Sequence, residues 1–331
     1  MRAENLCNLT VAGIAGVLAT PVSFLTFAQS YPSYPTRPIE LVAHTSAGSG
    51  TDVVARALAD VVRRENLLPQ PFVVVNRVGG AGVLAYTYFK TKRGDPYSML
   101  TVSPTLLAMA HRPDVNIGLD NYTPLALFAI DPQTIMVPAD SPFATFKDLV
   151  EAARRQPESL VAATTSIQGT GRLVLYLIEK AVPGAKFKFV TFKGGGEAAT
   201  SVAGGHTHFT TENLSEGLGL IEAKKLRVLG IAADRRLPNI PDVPTLQELG
   251  YAVQAGTIRG FVFPAGVPKE AATIMETALE RAHKTQAWKE HATRNFYLDV
   301  YMGSAEFSQF LAKRLEEARG FYNDIGLGRK P

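Results

Sequence analysis

The sequence feature that most constrains the fold lies at residues 39–60, where an apolar segment, a glycine-rich segment and a helical pattern follow one another. Residues 39–44 are mostly apolar and partly β-branched, which predicts a buried strand. From Val53 onward, apolar residues recur with the period of an amphipathic helix. The small residues at 45–52 leave backbone N–H groups free at the start of this helix, where the helix dipole attracts anions. The pattern predicts a strand–loop–helix unit whose loop binds an anion.

The alternative is an ordinary connection between a strand and a helix, which any α/β protein contains. The loop does not match the phosphate-binding motifs, because no lysine follows Gly50 and Val53 stands where a dinucleotide-binding loop has its third glycine. The net charge of +4 is spread along the chain, which argues against nucleic acid as a partner. The loop therefore favours a small carboxylate over a nucleotide.

Residues 1–28 have the pattern of a secretory signal peptide. Residues 9–27 carry no charge, and the small side chains of Thr26 and Ala28 precede the cleavage position. The alternative is an uncleaved membrane anchor, because the charged side chains before the apolar run cancel each other. The single cysteine, Cys7, lies before the cleavage position, so a cleaved chain has no cysteine and suits the oxidising periplasm.

Strands alternate with helices along the rest of the chain, which predicts parallel sheets covered by helices. Residues 160–173 repeat the order of the first unit, with a strand, a loop of small residues and a helix start. Two such units predict two lobes that face each other across a ligand cleft. The predicted strands are 39–44, 71–75, 98–102, an extended segment at 125–137, 160–164, 188–190, 208–211 and 226–232, and an apolar segment follows at 260–264. The predicted helices are 53–60, 83–92, 146–155, one from 173, 198–203, 245–249, 269–283 and 305–324.

Short motifs spread along the chain resemble one known family. They are YPTRPI at 34–39, GTD at 50–52, NR at 76–77 with GGAG at 79–82, FKGGG at 192–196, LP at 237–238 with PDVPT at 241–245, and PAGVP at 264–268. In this order and spacing they resemble the Bug, or TctC-like, family of extracytoplasmic solute receptors of tripartite tricarboxylate transporters.

The resemblance implies an α/β fold of the two-lobe periplasmic binding protein kind, type II-like, in which a flytrap closes on a ligand in an interlobe cleft. It places lobe 1 at 36–133 and 258–331 and lobe 2 at 134–257. It also implies a small organic carboxylate as ligand and no cofactor. The implied partners are membrane permease subunits of a tripartite transporter, with a sensor kinase as the alternative. By the resemblance, the ligand is held by the loops 46–52 and 166–172.

Two arginines stand where the family pattern has other residues. Arg172 lies near the position of a family histidine, and Arg259 lies where aromatic residues are usual. A guanidinium group grips a carboxylate with paired N–H donors, so we expect these side chains to clamp the ligand; the alternative is a surface or structural role. The predicted binding residues are Ser46, Ala47, Gly48, Ser49, Gly50, Thr51, Asp52, Ser166, Gln168, Gly169, Thr170, Arg172, Lys193 and Arg259.

The sequence contains few patterns typical of metal binding or catalysis. Asp52 either caps a helix or meets a ligand donor, and Lys193 either faces the cleft or caps a strand. His206 and His208 alternate on a strand near Glu212, but no further metal ligands are evident, so no metal site is predicted. No catalytic motif joins a serine, histidine and acid. We expect a binding protein, with a periplasmic enzyme acting on a carboxylate as the alternative.

Overall fold

Two separate β-sheets carry the fold in the computed structural model, which describes residues 34–112, 115 and 117–326. The predicted signal peptide at 1–28 lies outside the described residues. The strands are β1 (Ile39–Ala43), β2 (Phe72–Asn76), β3 (Ser98–Val102), β4 (Tyr122–Pro132), β5 (Thr134–Pro138), β6 (Val161–Thr164), β7 (Lys188–Thr191), β8 (Phe209–Thr210), β9 (Leu226–Ile231), β10 (Gly256–Pro264) and β11 (Leu298–Gly303). The α-helices are α1 (Gly50–Arg64), α2 (Val83–Lys90), α3 (Thr105–His111), α4 (Phe146–Arg155), α5 (Thr170–Ala181), α6 (Gly195–Ala203), α7 (Leu214–Glu222), α8 (Lys269–Lys284), α9 (Gln286–Arg294) and α10 (Ser304–Asp324).

The first sheet has the strand order β11-β4-β10-β3-β1-β2. Strand β1 lies between β2 and β3 and is parallel to both, whereas β10 is antiparallel to β3 and β4. Leu41 packs into the core on one face of the sheet and Val42 into the core on the other, because successive side chains of a strand point to opposite faces. Helices α1–α3 and α8–α10 cover these faces, and we call this sheet with its helices lobe 1.

The second sheet has the strand order β7-β6-β8-β5-β9. Strand β6 is parallel to β7 and β8, and β5 is antiparallel to β8 and β9. Ile135 and Met136 of β5 pack on opposite faces, where helices α4–α7 cover the sheet. We call this sheet with its helices lobe 2. Each lobe therefore contains three neighbouring parallel strands, flanked on the same side by an antiparallel strand that belongs to a crossing between the lobes.

The chain crosses between the lobes twice, through adjacent segments. Strand β4 of lobe 1 runs into β5 of lobe 2 with only Gln133 between them, and the chain returns from β9 to β10. The backbone N–H of Gln133 donates to the carbonyl of Ala255 at 3.2 Å, so the crossings are hydrogen-bonded to each other. The rings of Tyr176 in α5 and Phe321 in α10 lie 5.5 Å apart and form a further contact between the lobes.

Aromatic side chains fix the strands that lead into the crossings. Phe128 of β4 lies edge-on to Phe261 of β10 and to Trp288 of α9, with centroid distances of 5.1 and 4.8 Å. On the opposite face, Phe307 of α10 packs directly onto Gly260 of β10. Within the described part of the chain, no helix combines the length and apolar character needed to cross a bilayer.

Several elements differ from the sequence prediction. The predicted helix at 245–249 is wrong, because this segment forms turns in which Thr245 and Glu248 bond each other's backbone N–H groups at 2.8 and 3.0 Å. Helices α3, α7 and α9 and strand β11 were not predicted. Helix α9 follows α8 directly because Thr285 ends one helix, and its hydroxyl accepts a hydrogen bond from the N–H of Trp288 in the next.

We expect Gly260→Ala to lower the free energy of unfolding by about 1–3 kcal/mol, as overpacking of a close-packed core does. A Cβ at this position would lie 2.6 Å from Cζ of Phe307 and 2.9 Å from the carbonyl oxygen of Ala126. The matched control is Gly219→Ala in α7, where nothing lies within 4 Å and alanine should gain up to about 1 kcal/mol of helix propensity. Urea denaturation measures both; equal effects of the two substitutions would contradict the packing of Phe307 onto Gly260.

Candidate ligand-binding site

The cleft between the lobes is formed where parallel strands end. In lobe 1 the residues after β1, β2 and β3 line it, and in lobe 2 the residues after β6, β7 and β8 do so. Ligands of open α/β sheets bind at such carboxyl ends. The cleft has a volume of about 790 Å³. It is lined by His44, Thr45, Ser46, Ser49, Gly50, Thr51, Val78, Gly79, Gly80, Ala81, Gly82, Ser103, Pro104, Thr105, Ala108, Gln133, Thr165, Ser166, Gln168, Gly169, Thr170, Gly171, Lys193, Glu212, Asn213, Glu216, Thr257 and Arg259.

The loop between β1 and α1 is held from behind by Asp52. This side chain is buried, and its Oδ2 accepts hydrogen bonds from the N–H of Gly48 at 2.8 Å and from Nε of Arg56 at 2.9 Å. Its Oδ1 accepts from Nδ2 of Asn76 at 2.8 Å. Burial opposes the charge of the carboxylate, but these hydrogen bonds outweigh it and lower the pKa of Asp52. Asp52 therefore orders the loop and does not itself line the cleft, and its contact with a ligand stays a prediction.

Arg259 packs against the first residue of α1. A Cβ on Gly50 would lie 2.6 Å from both Nη1 and Nη2 of Arg259, so only glycine permits this approach. Arg259 is 7% exposed and forms an ion pair with the buried carboxylate of Asp131 in β4. Burial raises the pKa of Asp131 to about 6, against the opposing effect of the Arg259 charge. A guanidinium group and the positive end of a helix therefore lie together at the lobe 1 wall of the cleft.

Lobe 2 contributes the start of α5. Gly169 precedes the first turn, which begins at Thr170. A Cβ on Gly171 would lie 2.9 Å from Oε1 of Glu212 and 3.0 Å from Oγ1 of Thr211. The Thr211 hydroxyl donates to the carbonyl of Gly171 at 2.9 Å. The small residues of this loop bring the helix start against the end of β8, at the edge of the cleft.

Glu212 is a buried acid at the cleft wall. Its Oε1 accepts hydrogen bonds from the N–H of Thr165 at 2.9 Å and from the hydroxyl of Thr165 at 3.2 Å. Burial, reinforced by the charges of Glu216 and Asp131, raises the pKa of Glu212 to about 8. The side chain therefore carries a proton at neutral pH, and the cleft holds one negative charge fewer than its composition indicates.

A hydrogen-bonded histidine and serine also line the cleft. Nε2 of His44 lies 2.7 Å from Oγ of Ser103, and both side chains are buried. Burial lowers the pKa of His44 to about 4, so its ring is neutral at neutral pH. The Ser103 hydroxyl also accepts a hydrogen bond from the N–H of Thr105 at 3.2 Å. The sequence analysis joined no serine to a histidine, because these two residues follow different strands.

The structure brings most of the predicted binding residues to the cleft, where their contact with a ligand stays a prediction. These are Ser46, Ser49, Gly50, Thr51, Ser166, Gln168, Gly169, Thr170, Lys193 and Arg259. Ala47, Gly48, Asp52 and Arg172 do not line it. The guanidinium of Arg172 lies 4.9 Å from the ring centroid of Phe189 on the edge strand β7, and its contact with a ligand stays a prediction.

The predicted binding residues include none from the loop after β2 and none from the third loop of each lobe. Ser103 follows the predicted strand at 98–102, and Glu212 follows the predicted strand at 208–211. The signal was present, because the carboxyl ends of neighbouring parallel strands meet at one edge. Among the described residues, no group of three or more histidine, cysteine, aspartate or glutamate side chains is placed to hold a metal. Nδ1 of His208 instead accepts a hydrogen bond from the N–H of Val161 at 3.0 Å.

Comparisons with known proteins agree with this architecture. The family profile described as tripartite tricarboxylate transporter family receptor, TctC, matches residues 54–327. The protein BugT of Bordetella pertussis is 26% identical over 327 residues, which are 96% of this chain and 97% of BugT. The crystal structure of a TctC solute binding protein from Polaromonas superposes with a TM-score of 0.76 at 27% identity, covering 88% of this chain and 99% of that one. An R. palustris structure with adipate has a TM-score of 0.77 at 23% identity, covering 89% and 99%.

The two lobes and the cleft between them define a solute-binding protein. The predicted α/β, two-lobe fold is confirmed by the superposition on the TctC protein from Polaromonas. The chain belongs to the tripartite tricarboxylate transporter family receptors, because the family profile matches most of its length.

We expect Asp52→Asn to lower the free energy of unfolding by about 1–3 kcal/mol, since it weakens charged hydrogen bonds of a buried group. The control is Asp60→Asn on the same helix, whose carboxylate is 38% exposed and paired with Arg63 and Arg64. Exposed pairs contribute about 0–1 kcal/mol. Urea denaturation of both variants checks the difference, and an unchanged Asp52→Asn protein would remove the loop-ordering role of Asp52.

The raised pKa of Glu212 predicts a pH-dependent stability. The unfolded chain loses this proton near pH 4.5, whereas the folded chain keeps it up to about pH 8. Stability from this group is therefore full below pH 4.5 and is lost as the pH rises to about 8. We expect Glu212→Gln to be more stable than the natural protein at pH 8, with the difference fading towards pH 4.5. Glu222→Gln, at an exposed position, is the control; parallel stability–pH curves for the natural and Glu212→Gln proteins would contradict the prediction.

Proposed function

We propose that this receptor captures a small organic carboxylate between its lobes in the periplasm and delivers it to a tripartite tricarboxylate-type transporter. The observation that carries the proposal is the position of Arg259. Its guanidinium lies on Gly50 at the N-terminus of α1, in the same cleft as the first turn of α5 from the other lobe. An anion between these elements meets positive charge from both sides.

The electrostatics of the cleft suit an anion. A helix N-terminus carries the equivalent of about half a positive charge, and charged hydrogen bonds from a guanidinium contribute about 1.5–3 kcal/mol each. Lys193 adds a cation that offsets Glu216, and both line the cleft. The neutral form of Glu212 matters because a further charged carboxyl would repel the ligand. A neutral Glu212 also has an O–H to donate to a carboxylate.

Binding proceeds by closure of the lobes. A ligand that contacts both walls favours the closed arrangement by its differential affinity for the two states. The moving bodies are lobe 1 at 36–133 and 258–331 and lobe 2 at 134–257, which turn about the crossings near Gln133 and Ala255. The hydrogen bond between these two residues keeps the crossings together during the motion.

The relatives support an acid as the ligand. The R. palustris protein that shares the fold was solved with adipate. Adipate carries two carboxylates, and this cleft has one helix N-terminus on each wall. The predicted signal peptide at 1–28 directs the chain to the periplasm, where its partners are the membrane permease subunits. The alternative partner is a sensor kinase that recognises the closed form.

The alternative function is an enzyme, and the His44–Ser103 pair is the observation that favours it. A catalytic pair of this kind needs a third group that orients the histidine. Among the described residues, no ion pair joins His44 to a carboxylate, and its lowered pKa of about 4 makes it a weak base. We therefore propose binding without turnover.

The test is a thermal-shift screen of the purified protein with succinate, malate, adipate, citrate and benzoate. An acid at about 100 times its Kd adds about 2.7 kcal/mol to stability, which raises the Tm by several degrees in a protein of this size. Nuclear magnetic resonance of the recovered acid then separates binding from turnover, with Ser103→Ala as the control for catalysis. The proposal fails if no acid raises the Tm, or if the acid is converted by the natural protein and left intact by Ser103→Ala.

Removing the ion pair of Arg259 tests whether this side chain binds the carboxylate of the ligand. We expect the double variant Asp131→Asn/Arg259→Gln to bind its acid about 10–150-fold more weakly, the equivalent of one charged hydrogen bond. Replacing both partners avoids leaving a buried charge unpaired. The matched control is Arg236→Gln/Glu248→Gln, which removes an exposed ion pair away from the cleft. Isothermal titration calorimetry gives the affinities, and equal values for the two double variants would remove Arg259 from the site.

A further inference from the structure

A second cavity lies next to the ligand cleft. It has a volume of about 410 Å³, within the range of roughly 300–1,000 Å³ typical of small-molecule pockets. Apolar side chains from three sources form its walls: Leu173 and Leu177 of α5, Phe310 and Tyr322 of α10, and Ile258 of β10. We call it the side cavity. Its walls belong to both lobes and to a crossing between them.

The side cavity adjoins the cleft at the start of α5. Pro104, Gly169 and Thr170 line both spaces. Gly169 and Thr170 form the helix start that the proposed function assigns to a ligand carboxylate. An acid held there has its carboxylate at the border between the two spaces, so the rest of the molecule has the side cavity within reach.

Among the described residues that line the side cavity, no cation is free for a second carboxylate. Arg314 lines it, but Nη1 of Arg314 is paired with Oε2 of Glu317 at 2.9 Å. The Arg314 guanidinium also lies 5.0 Å from the ring centroid of Phe310. Its charge is therefore compensated within α10. The occupant that matches the apolar walls is an apolar group, because a charged group there would lose its hydration and Arg314 is already paired.

We propose, on the basis of the proposed function, that the side cavity receives the apolar part of a carboxylate ligand, so that the protein selects acids with an alkyl or aryl group over short diacids. The carboxylate end lies at the start of α5, and the apolar end packs against Leu173, Leu177 and Ile258. Since these walls come from both lobes and a crossing, the apolar group also stabilises the arrangement of lobes that surrounds it.

The experiment measures affinity along a series with a constant charged head: succinate, butylsuccinate, hexylsuccinate and phenylsuccinate. Each buried methylene group should tighten binding by about fourfold, until the side cavity is filled. Isothermal titration calorimetry gives the ratio of the hexylsuccinate affinity to the succinate affinity. This ratio reports the apolar contribution alone, since the carboxylates are the same in both acids.

Two variants fill the side cavity from different walls. Ala252→Trp acts from an exposed position on its rim, and Leu177→Trp acts from α5. The control is Ala223→Trp, an exposed alanine at the end of α7 that lines neither space. We expect the preference for hexylsuccinate in the natural protein and in the control, and its loss in both filled variants.

The outcomes separate this inference from the proposed function. If the succinates bind with no preference for the longer chain, the side cavity has no role and the carboxylate receptor stands. If the preference survives in both filled variants, the apolar group lies elsewhere and the inference is overturned. If no acid of the series or of the thermal-shift screen binds, the receptor function and the side-cavity inference both fail.

Discussion

The buried ion pair between Arg259 and Asp131 is the interaction on which the cleft depends. It joins β10 to β4, the two strands that lead into the lobe crossings, and it holds the guanidinium against the start of α1. Desolvating two charges is expensive, and a buried pair is stable only with good geometry and further partners. The guanidinium also lies against Gly50, the first residue of α1, and a cation is unfavourable at a helix N-terminus. Under the proposed function, an anion bound in the cleft offsets this unfavourable arrangement of positive charge.

The two lobes have the same arrangement of strands. In each lobe, a central strand (β1 or β6) has a parallel neighbour on either side. A strand of a lobe crossing (β10 or β5) then pairs antiparallel with one of these neighbours (β3 or β8). The order β2-β1-β3-β10-β4 in lobe 1 corresponds to β7-β6-β8-β5-β9 in lobe 2. Because the chain crosses between the lobes where these sheets meet, the carboxyl ends of both sets of parallel strands face one space. The position of the site is therefore set by the topology of the two sheets, and the side chains that line it set its charge and shape.

The sequence allowed much of this to be predicted, for physical reasons that differ between elements. Strand β3 and helix α4 were predicted with their observed limits, since a short, mostly apolar strand after a turn and a capped amphipathic helix leave clear patterns. Helix α3 was not predicted because it has only 7 residues and most of them are apolar. No alternation of apolar and polar residues with a helical period is therefore visible in the sequence. The two loops that precede α1 and α5 were visible as small residues at a strand–helix boundary.

The parts of the site that were not predicted depend on contacts between residues that lie far apart along the chain. Asp52 has its place behind the loop because Asn76, on the next strand, completes its hydrogen bonds. Arg259 reaches Gly50 across more than half of the chain, and Arg172 turns to Phe189 instead. A single sequence records which side chains are charged, but their direction depends on neighbours brought together by the sheet.

The contact between α5 and α10 has a consequence for the outer surface. Tyr176 and Phe321 join helices from different lobes, and α10 is anchored to lobe 1 through Phe307. Any change in the angle between the lobes must therefore slide one ring over the other or bend α10 along its length. Next to this contact, Lys180 and Asp324 are exposed and 3.8 Å apart. Under the proposed closure of the lobes, the relative alignment of these two exposed helix ends therefore changes when a ligand binds between the lobes.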